Sequence, residues 1–322
     1  MIEKIWKLLR VCYEKTGNSF TPISESENNA EKAYEIIYDA INSDKPCMIS
    51  RFGATEITTM VNYLGVKQGK PDIKKYIKGE ALDWWWYPEM LYDMQHKSGF
   101  FPSTKENVSR FCEMMIEDIK EIDVLGSWQP KEFYFREQIK NAKKIGFPLL
   151  EPWHSKTPWS KNLKGKKVLV VHPFAKTIES QYKKRELLFD NKDILPEFQL
   201  QIIPAVQSLN GENTTFNNWF EALEWMKSEI DKKDYEFALL GCGAYGLPLA
   251  AHIKRQGKKA IHLGGALQLL FGIWGRRWND QEAWVDVYNI KRGLYTTLKN
   301  KEWVSPTNEY IPDDPLENAC YW

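Results

Sequence analysis

The glycines of GCGAYG, namely Gly241, Gly243 and Gly246, stand at G-x-G-x-x-G spacing, and that spacing has a chemistry: a backbone turn can close over a phosphate. Gly241 permits a sharp turn out of a strand, Gly243 lets the main chain approach an anion, and Gly246 allows the next helix to pack closely on a sheet. N–H groups at that helix start would face the anion. Packing alone is the competing use of the same three glycines. A second stretch, RFGATE, holds Arg51, Gly53 and Glu56: a charge-assisted phosphate donor, a turn glycine and a carboxylate at a helix start, or else an ion pair that fixes the turn. His172 follows the apolar run VLVV, with Thr177, Ser180 and Gln181 close behind, and suits either a ligand contact or a bond to the backbone. PAVQSLNGENTTFNNW offers Gln207, Asn210, Asn213, Thr214 and Asn217, neutral groups suited to hydroxyls, though a solvated loop has the same composition. Two aromatic clusters complete the set. Trp84, Trp85, Trp86 and Tyr87 lie beside Glu80 and Asp83, and Trp274 and Trp278 surround Arg276 and Arg277. Their faces suit sugars or bases and the paired arginines suit a diphosphate. Core packing, and pairing of Arg276 or Arg277 with Asp280 or Glu282, are the alternatives.

Most of these residues follow short apolar runs, which is where an open α/β sheet binds its ligands. YEFALL before GCGAYG and KKAIHL after it read as two strands around one helix. Further strands are expected in CMISRF, IDVLGSW, KKVLVVHP and QLQIIPAV. Helices are expected after Asn29 and in VSRFCEMMIEDIKEI, REQIKNAKKI and NNWFEALEWMKSEIDKK. GFPLLEP is a short apolar run, and residues 156 to 167 read as a loop. This alternation predicts one doubly wound, Rossmann-like α/β domain over residues 46–322, with a mostly parallel sheet covered by helices on both faces. Residues 1–45 are expected to form an N-terminal helical segment that packs on this core.

The bulk properties remove several classes. A net charge of +1 over 322 residues gives no basic field for nucleic acid. Five cysteines, scattered singly, favour neither a disulfide framework nor a zinc site, which points to a reducing cytoplasm. The first residues, MIEKIWKLLRVCYEKTG, are charged throughout and lack the apolar stretch of a signal peptide, and no segment reaches the roughly 18 apolar residues of a membrane span. Ile2, Ile5, Trp6, Leu8 and Leu9 beside Lys4, Lys7 and Arg10 could form a weak membrane-surface face, with docking on the chain's own core favoured over it. No G-x-S-x-G, G-x-x-x-x-G-K-[ST] or H-E-x-x-H occurs, so serine hydrolase, P-loop kinase and zinc protease readings fall away.

RFGATE after the first strand, HPF after a middle one and LLGCGAYGLPLAAHIKRQGKKAIHLGG near the end resemble the bacterial glycosyltransferases of the GT-D fold. The chain is similar, more closely, to proteins of surface-polysaccharide gene clusters that close in a motif like ENACYW, Glu317 to Trp322. The likeness spans about residues 46 to 290 and implies transfer of a sugar from a nucleoside diphosphate donor to a carbohydrate acceptor. The family's R-x-G-D-G-E signature carries an Asp-x-Glu pair for Mn²⁺ or Mg²⁺; here Ala54 stands in the place of the Asp, which weakens any metal site built on Glu56. In this reading Glu56 is the acceptor's base or a residual metal ligand, and His172 the substitute base. Arg51 with Arg276 or Arg277 offsets the leaving charge, Trp85 and its neighbours position sugar rings, and Asn210 and Asn213 read hydroxyls. Two other readings stand beside it. A nicotinamide-dependent oxidoreductase needs an acidic residue after the second strand, but Lys259–Leu263 runs into Gly264 and Gly265 with none. A non-catalytic nucleotide or saccharide binder fits the loss of the Asp.

Overall fold

The computed structural model describes residues 2–15, 25–208, 215–279, 290–306 and 321. Seven strands form one sheet: β1 (Cys47–Arg51), β2 (Val124–Ser127), β3 (Lys143–Gly146), β4 (Lys167–His172), β5 (Gln199–Pro204), β6 (Phe237–Leu240) and β7 (Lys259–His262). They lie in the order β3-β2-β1-β7-β6-β4-β5, and every pairing is parallel. Parallel strands are covered on both faces, so their sequences read as near-continuous apolar runs; FALL of β6 is buried at every position.

Strand alternation then divides the interior in two. Met48, Leu125, Leu169, Val171, Leu240 and Ala260 face a core shared with α3 (Ala54–Gln68), α6 (Lys105–Asp118), α9 (Trp219–Asp231) and α10 (Gly246–Arg255). Cys47, Ile49, Val124, Val170, Leu239 and Ile261 face the other, built with α2 (Ala30–Asn42), α7 (Ala175–Tyr182), α8 (Arg185–Leu188) and α11 (Leu267–Leu270). The chain therefore leaves β4 towards one face through α7 and α8, and leaves the neighbouring β6 towards the other through α10. Two adjacent strands whose connections diverge leave a crevice at their carboxyl ends.

Among the described residues no helix is long and apolar enough to cross a membrane. Helix α1 (Ile2–Tyr13) packs against α4 (Ile73–Ile77) through its cations: Arg10 donates to the Ala81 carbonyl at 3.0 Å and lies over the Tyr76 ring, and Lys7 lies over Tyr87. Ile5, Leu8, Leu9 and Val11 stay exposed, so this helix docks by its polar side rather than by the apolar stripe.

One expected helix is absent. REQIKNAKKI ends in β3, where Val124 to Ser127 pair with Lys143 to Gly146 and Glu27 bridges to Ile145. Only Ile139 and Ile145 of that stretch are apolar and buried, six residues apart, which gives no helical stripe. A helix not expected, α5 (Pro88–Ser98), begins with Pro at its first turn and stops at Gly99, left-handed with φ 66°. Its last turn delivers Lys97, Ser98 and Gly99 to the crevice.

Candidate functional site

At the carboxyl ends of β1, β4 and β6 a cavity of about 770 Å³, counted to its open mouth, is lined by Arg51, His172, Gln207, Gly243, Gln268 and Tyr321, among others.

The glycine turn forms one wall, and its three glycines do different things. A Cβ on Gly241 would lie 2.7 Å from His172 Cδ2, 2.8 Å from the Gly264 carbonyl and 2.9 Å from Leu267 Cβ. One on Gly246 would lie 2.5 Å from Cδ2 of His262 and closer still to Nε2, so α10 can reach β7 only without it. Gly243 is the contrast: φ is 57°, in the left-handed region, and a Cβ there would meet nothing within 4 Å. Two glycines are thus held by packing, and the middle one faces open space.

Opposite the turn, Arg51 leaves the end of β1. Its Nη1 donates to the Phe52 carbonyl at 3.1 Å, while Nε is enclosed and has no partner among the described residues. Gly264, with φ 63°, gives it room; a Cβ there would sit 2.7 Å from Nε. Burial above all, with Arg277 adding to it, lowers the pKa of Arg51 from the ordinary arginine value, against Tyr321 and Glu56, which raise it. An arginine still keeps its proton, and the residue as a whole is half-buried, so the guanidinium presents a cation to the cavity that an anion would pair with.

His172 is buried at the end of β4. Its Nδ1 accepts the Phe174 N–H at 2.9 Å, and burial pushes its pKa down to about 3. The ring is therefore neutral, with its proton on Nε2: a donor, and a weak base. His262 is likewise held well below its ordinary pKa, by burial first and by Arg51 second; its Nδ1 meets Ser50 Oγ at 3.0 Å and its Nε2 has no partner among the described residues. Gln268 is buried in the cavity wall. Its amide nitrogen donates to the Ile273 and Tyr321 carbonyls, at 3.3 and 3.0 Å, and Oε1 is enclosed with no partner among the described residues.

Glu56 lies in the first turn of α3, its carboxylate folded back over Gly53; a Cβ on Gly53 would be 2.5 Å from Glu56 Cδ. It lines a second cleft with Arg51, Lys97, Gly243, Arg277 and Tyr321, so the two openings meet at Arg51 and Tyr321. The charged groups around Glu56 are cations. Among the described residues no three His, Cys, Asp or Glu side chains come together in a way that could hold a metal ion. Ala54 at the cleft wall supplies no ligand, and a lone carboxylate beside Arg51, Lys97 and Arg277 does not fit Mn²⁺ or Mg²⁺.

Other sequence candidates fall elsewhere. Arg276 and Arg277 are both exposed on the turn Arg276–Trp278, but only Arg277 lines the clefts; it donates to the Tyr321 hydroxyl and lies over that ring, 5.2 Å from its centroid. Trp85 is packed edge-on against Trp84, Tyr76 and Tyr87, at 4.7, 5.8 and 5.8 Å between ring centres, in the half-buried cluster beside α1, away from the cavity. Trp274 and Trp278 are core. Gln181 donates to the Gly272 and Glu302 carbonyls, and Asn217 is spent on Glu221 in the first turn of α9. Asn210, Asn213 and Thr214 lie outside the described residues, as do Asp280 and Glu282. Lys97, Gln268 and Tyr321 were not among the residues singled out from sequence. Tyr321 belongs to the closing ENACYW, and that motif was the available signal.

Comparison with known proteins adds little. No family model matches the chain. No curated protein matches it either. A solved structure, described under the words "The highly conserved domain of unknown function 1792 has a distinct glycosyltransferase fold", is similar with a TM-score of 0.38 and 12% identity, over 79% of this chain and 82% of that one. A superposition this loose says nothing about chemistry, which has to come from the cavity's own residues.

Proposed function

We propose that the protein is a cytoplasmic glycosyltransferase of surface-polysaccharide assembly, which moves a sugar from a nucleoside diphosphate donor to a carbohydrate acceptor. The observation that carries this reading is the pairing, across one cavity, of the half-buried Arg51 cation with the open left-handed turn at Gly243. A diphosphate completes both. Arg51 supplies charge-assisted hydrogen bonds, and the turn at Gly243 lets backbone approach the phosphate without a side chain in the way. His172, on the same wall, donates from Nε2.

Departure of a nucleoside diphosphate leaves negative charge on the β-phosphate. Arg51, Lys97 and Arg277 stand where a divalent ion would otherwise be needed, and preorganised cations in a partly dry site lower the barrier by stabilising that charge. Glu56, across the shared wall, takes the acceptor's proton. His172 then serves as a donor and not as the base. The oxidoreductase reading gains nothing from the geometry, since β7 ends in His262 with no carboxylate beside it for an adenine ribose.

The test is binding followed by turnover. Native protein should bind one nucleoside diphosphate without added metal, and release that nucleotide from its sugar conjugate when a saccharide is present. Binding of NAD⁺ in place of any nucleoside diphosphate would sink the reading.

A further inference from the structure

A second carboxylate is built into the same end of the sheet. After β3 the chain makes two tight turns, Phe147–Leu150 and Pro152–His154, and Glu151 stands between them. Its side chain is 7% exposed, and Oε2 is gripped twice: His154 Nε2 lies 2.9 Å away, and the buried Tyr295 hydroxyl donates to it at 2.7 Å. The main chain is pinned as well, since the Tyr34 hydroxyl donates to the Glu151 carbonyl and accepts the His154 N–H at 3.0 Å. Oε1 has no hydrogen bond among the described residues, and Glu151 lines a cleft with Arg51, Trp128, Arg277, Tyr295 and Tyr321. Four residues, Arg51, Trp128, Arg277 and Tyr321, line both this cleft and the one that holds Glu56. Over the cleft Trp128 stacks on Phe147, with ring centres 5.2 Å apart.

We infer that this cleft is the acceptor subsite, and that Glu151 reads a hydroxyl of a saccharide acceptor. The inference rests on the transferase reading for the word acceptor, but the saccharide site stands on its own geometry. A carboxylate fixed through one oxygen and open at the other is acceptor-only, so it selects O–H donors. Trp128 and Phe147, stacked on each other, give the cleft an apolar wall beside it. The shared wall also sets the order of parts. With the diphosphate at Arg51, the anomeric carbon lies at the junction, and an acceptor held by Glu151 reaches it from the far side. There the acceptor oxygen bonds to the anomeric carbon, the C–O bond to the diphosphate breaks with its electron pair going to the phosphate, and the acceptor's proton passes to Glu56. Glu151 orients the acceptor and takes no proton.

Saturation-transfer NMR with methyl β-glucoside, methyl β-galactoside and N-acetylglucosamine, each with and without the nucleoside diphosphate that stabilises the protein, tests this. At least one should bind native protein, Glu151→Gln should weaken it tenfold or more, and Tyr295→Phe should weaken it a few-fold by freeing the carboxylate. Nucleotide-induced stabilisation should not change in either variant. In turnover, Glu151→Gln should raise the acceptor KM tenfold or more while kcat changes no more than a few-fold, a split that a purely structural role would not give. Should Glu151→Gln fail to fold, Tyr295→Phe carries the same comparison. Saccharide binding that is absent in native protein, or equal in the variants, overturns the inference. Saccharide binding lost in Glu151→Gln while no nucleotide binds native protein would keep the site and defeat the donor reading instead.

Discussion

Replacing Gly243 and Gly246 one at a time by Ala separates the two jobs assigned to the glycine turn. At position 246 the new methyl would lie 2.5 Å from His262 Cδ2 and nearer to Nε2, where ordinary contacts need more than 3.4 Å. The ring has little room to retreat, because it is buried and its Nδ1 is tied to Ser50. Either α10 lifts or the ring shifts by about 1 Å, and overpacking of that kind costs about 1–3 kcal/mol. At position 243 no atom lies within 4 Å, so the cost is backbone strain alone: φ of 57° disfavours a residue with a Cβ by about 1–2 kcal/mol. Ligand binding should show the opposite ranking. A methyl at 243 projects into the space assigned to the diphosphate and removes the equivalent of one charge-assisted hydrogen bond, about 1.5–3 kcal/mol, or roughly tenfold to 150-fold in Kd. At 246 the change in Kd should stay within a few-fold. Urea unfolding gives the first ranking and calorimetric titration of the nucleoside diphosphate the second. Unchanged nucleotide affinity in Gly243→Ala would refute the phosphate role of the turn and leave all three glycines to packing.

Four further outcomes are expected. Arg51→Met should weaken nucleoside diphosphate binding about tenfold to hundredfold while leaving the free protein as stable or more so, since an enclosed Nε–H without a partner among the described residues is removed; calorimetry and urea unfolding check both halves. Glu56→Gln should keep nucleotide affinity and lower transfer by about 10²-fold or more, and full turnover with the fold intact would take the residue out of catalysis. Because the folded pKa of His172 is depressed to about 3 from 6.5, its contribution to stability is complete above pH 6.5 and is lost as the pH falls towards 3. Its replacement by Gln should make the acid limb of stability against pH shallower, by up to one proton or about tenfold in the folding equilibrium per pH unit; identical slopes would contradict the neutral ring. Trp85→Ala should cost about 1–2 kcal/mol by removing edge-on contacts and leave nucleotide affinity untouched, which titration beside thermal unfolding would show.

What the sequence made legible was local. The β6–turn–α10–β7 unit could be read because four apolar residues, a glycine spacing and a second apolar run follow each other without interruption. Both GCGAYG and the strand-end residues Arg51 and His172 do come to one cavity, because the carboxyl ends of parallel strands must lie together. What stayed hidden depends on long-range contacts. β3 has only two buried positions and is made a strand by β2 and by Glu27, far away in the chain. Trp85 and an exposed ligand-stacking tryptophan look alike in sequence; the difference is the set of rings from α4 and Tyr87 that surround it. Lys97 reaches the cavity only because α5 ends there, and Tyr321 lies beside Arg51 and Gly265, beyond the central strands β1 and β7, although 270 positions separate it from Arg51. Glu151 lies at the end of the short apolar run GFPLLEP and His154 two residues beyond it. Their i, i+3 spacing acquires meaning only through Tyr295, brought in from the other end of the chain.

Thermal unfolding of native protein with UDP, GDP, CMP, ADP or NAD⁺, each in EDTA and in Mn²⁺, tests the central claim most directly. One nucleoside diphosphate at about 100 times its Kd should stabilise the fold by about 2.7 kcal/mol, a rise in Tm of about 5 °C, and should do so in EDTA. Stabilisation by NAD⁺ alone, stabilisation that needs Mn²⁺, or no shift with any of the five would contradict a metal-free nucleoside diphosphate donor held by Arg51 and the Gly243 turn.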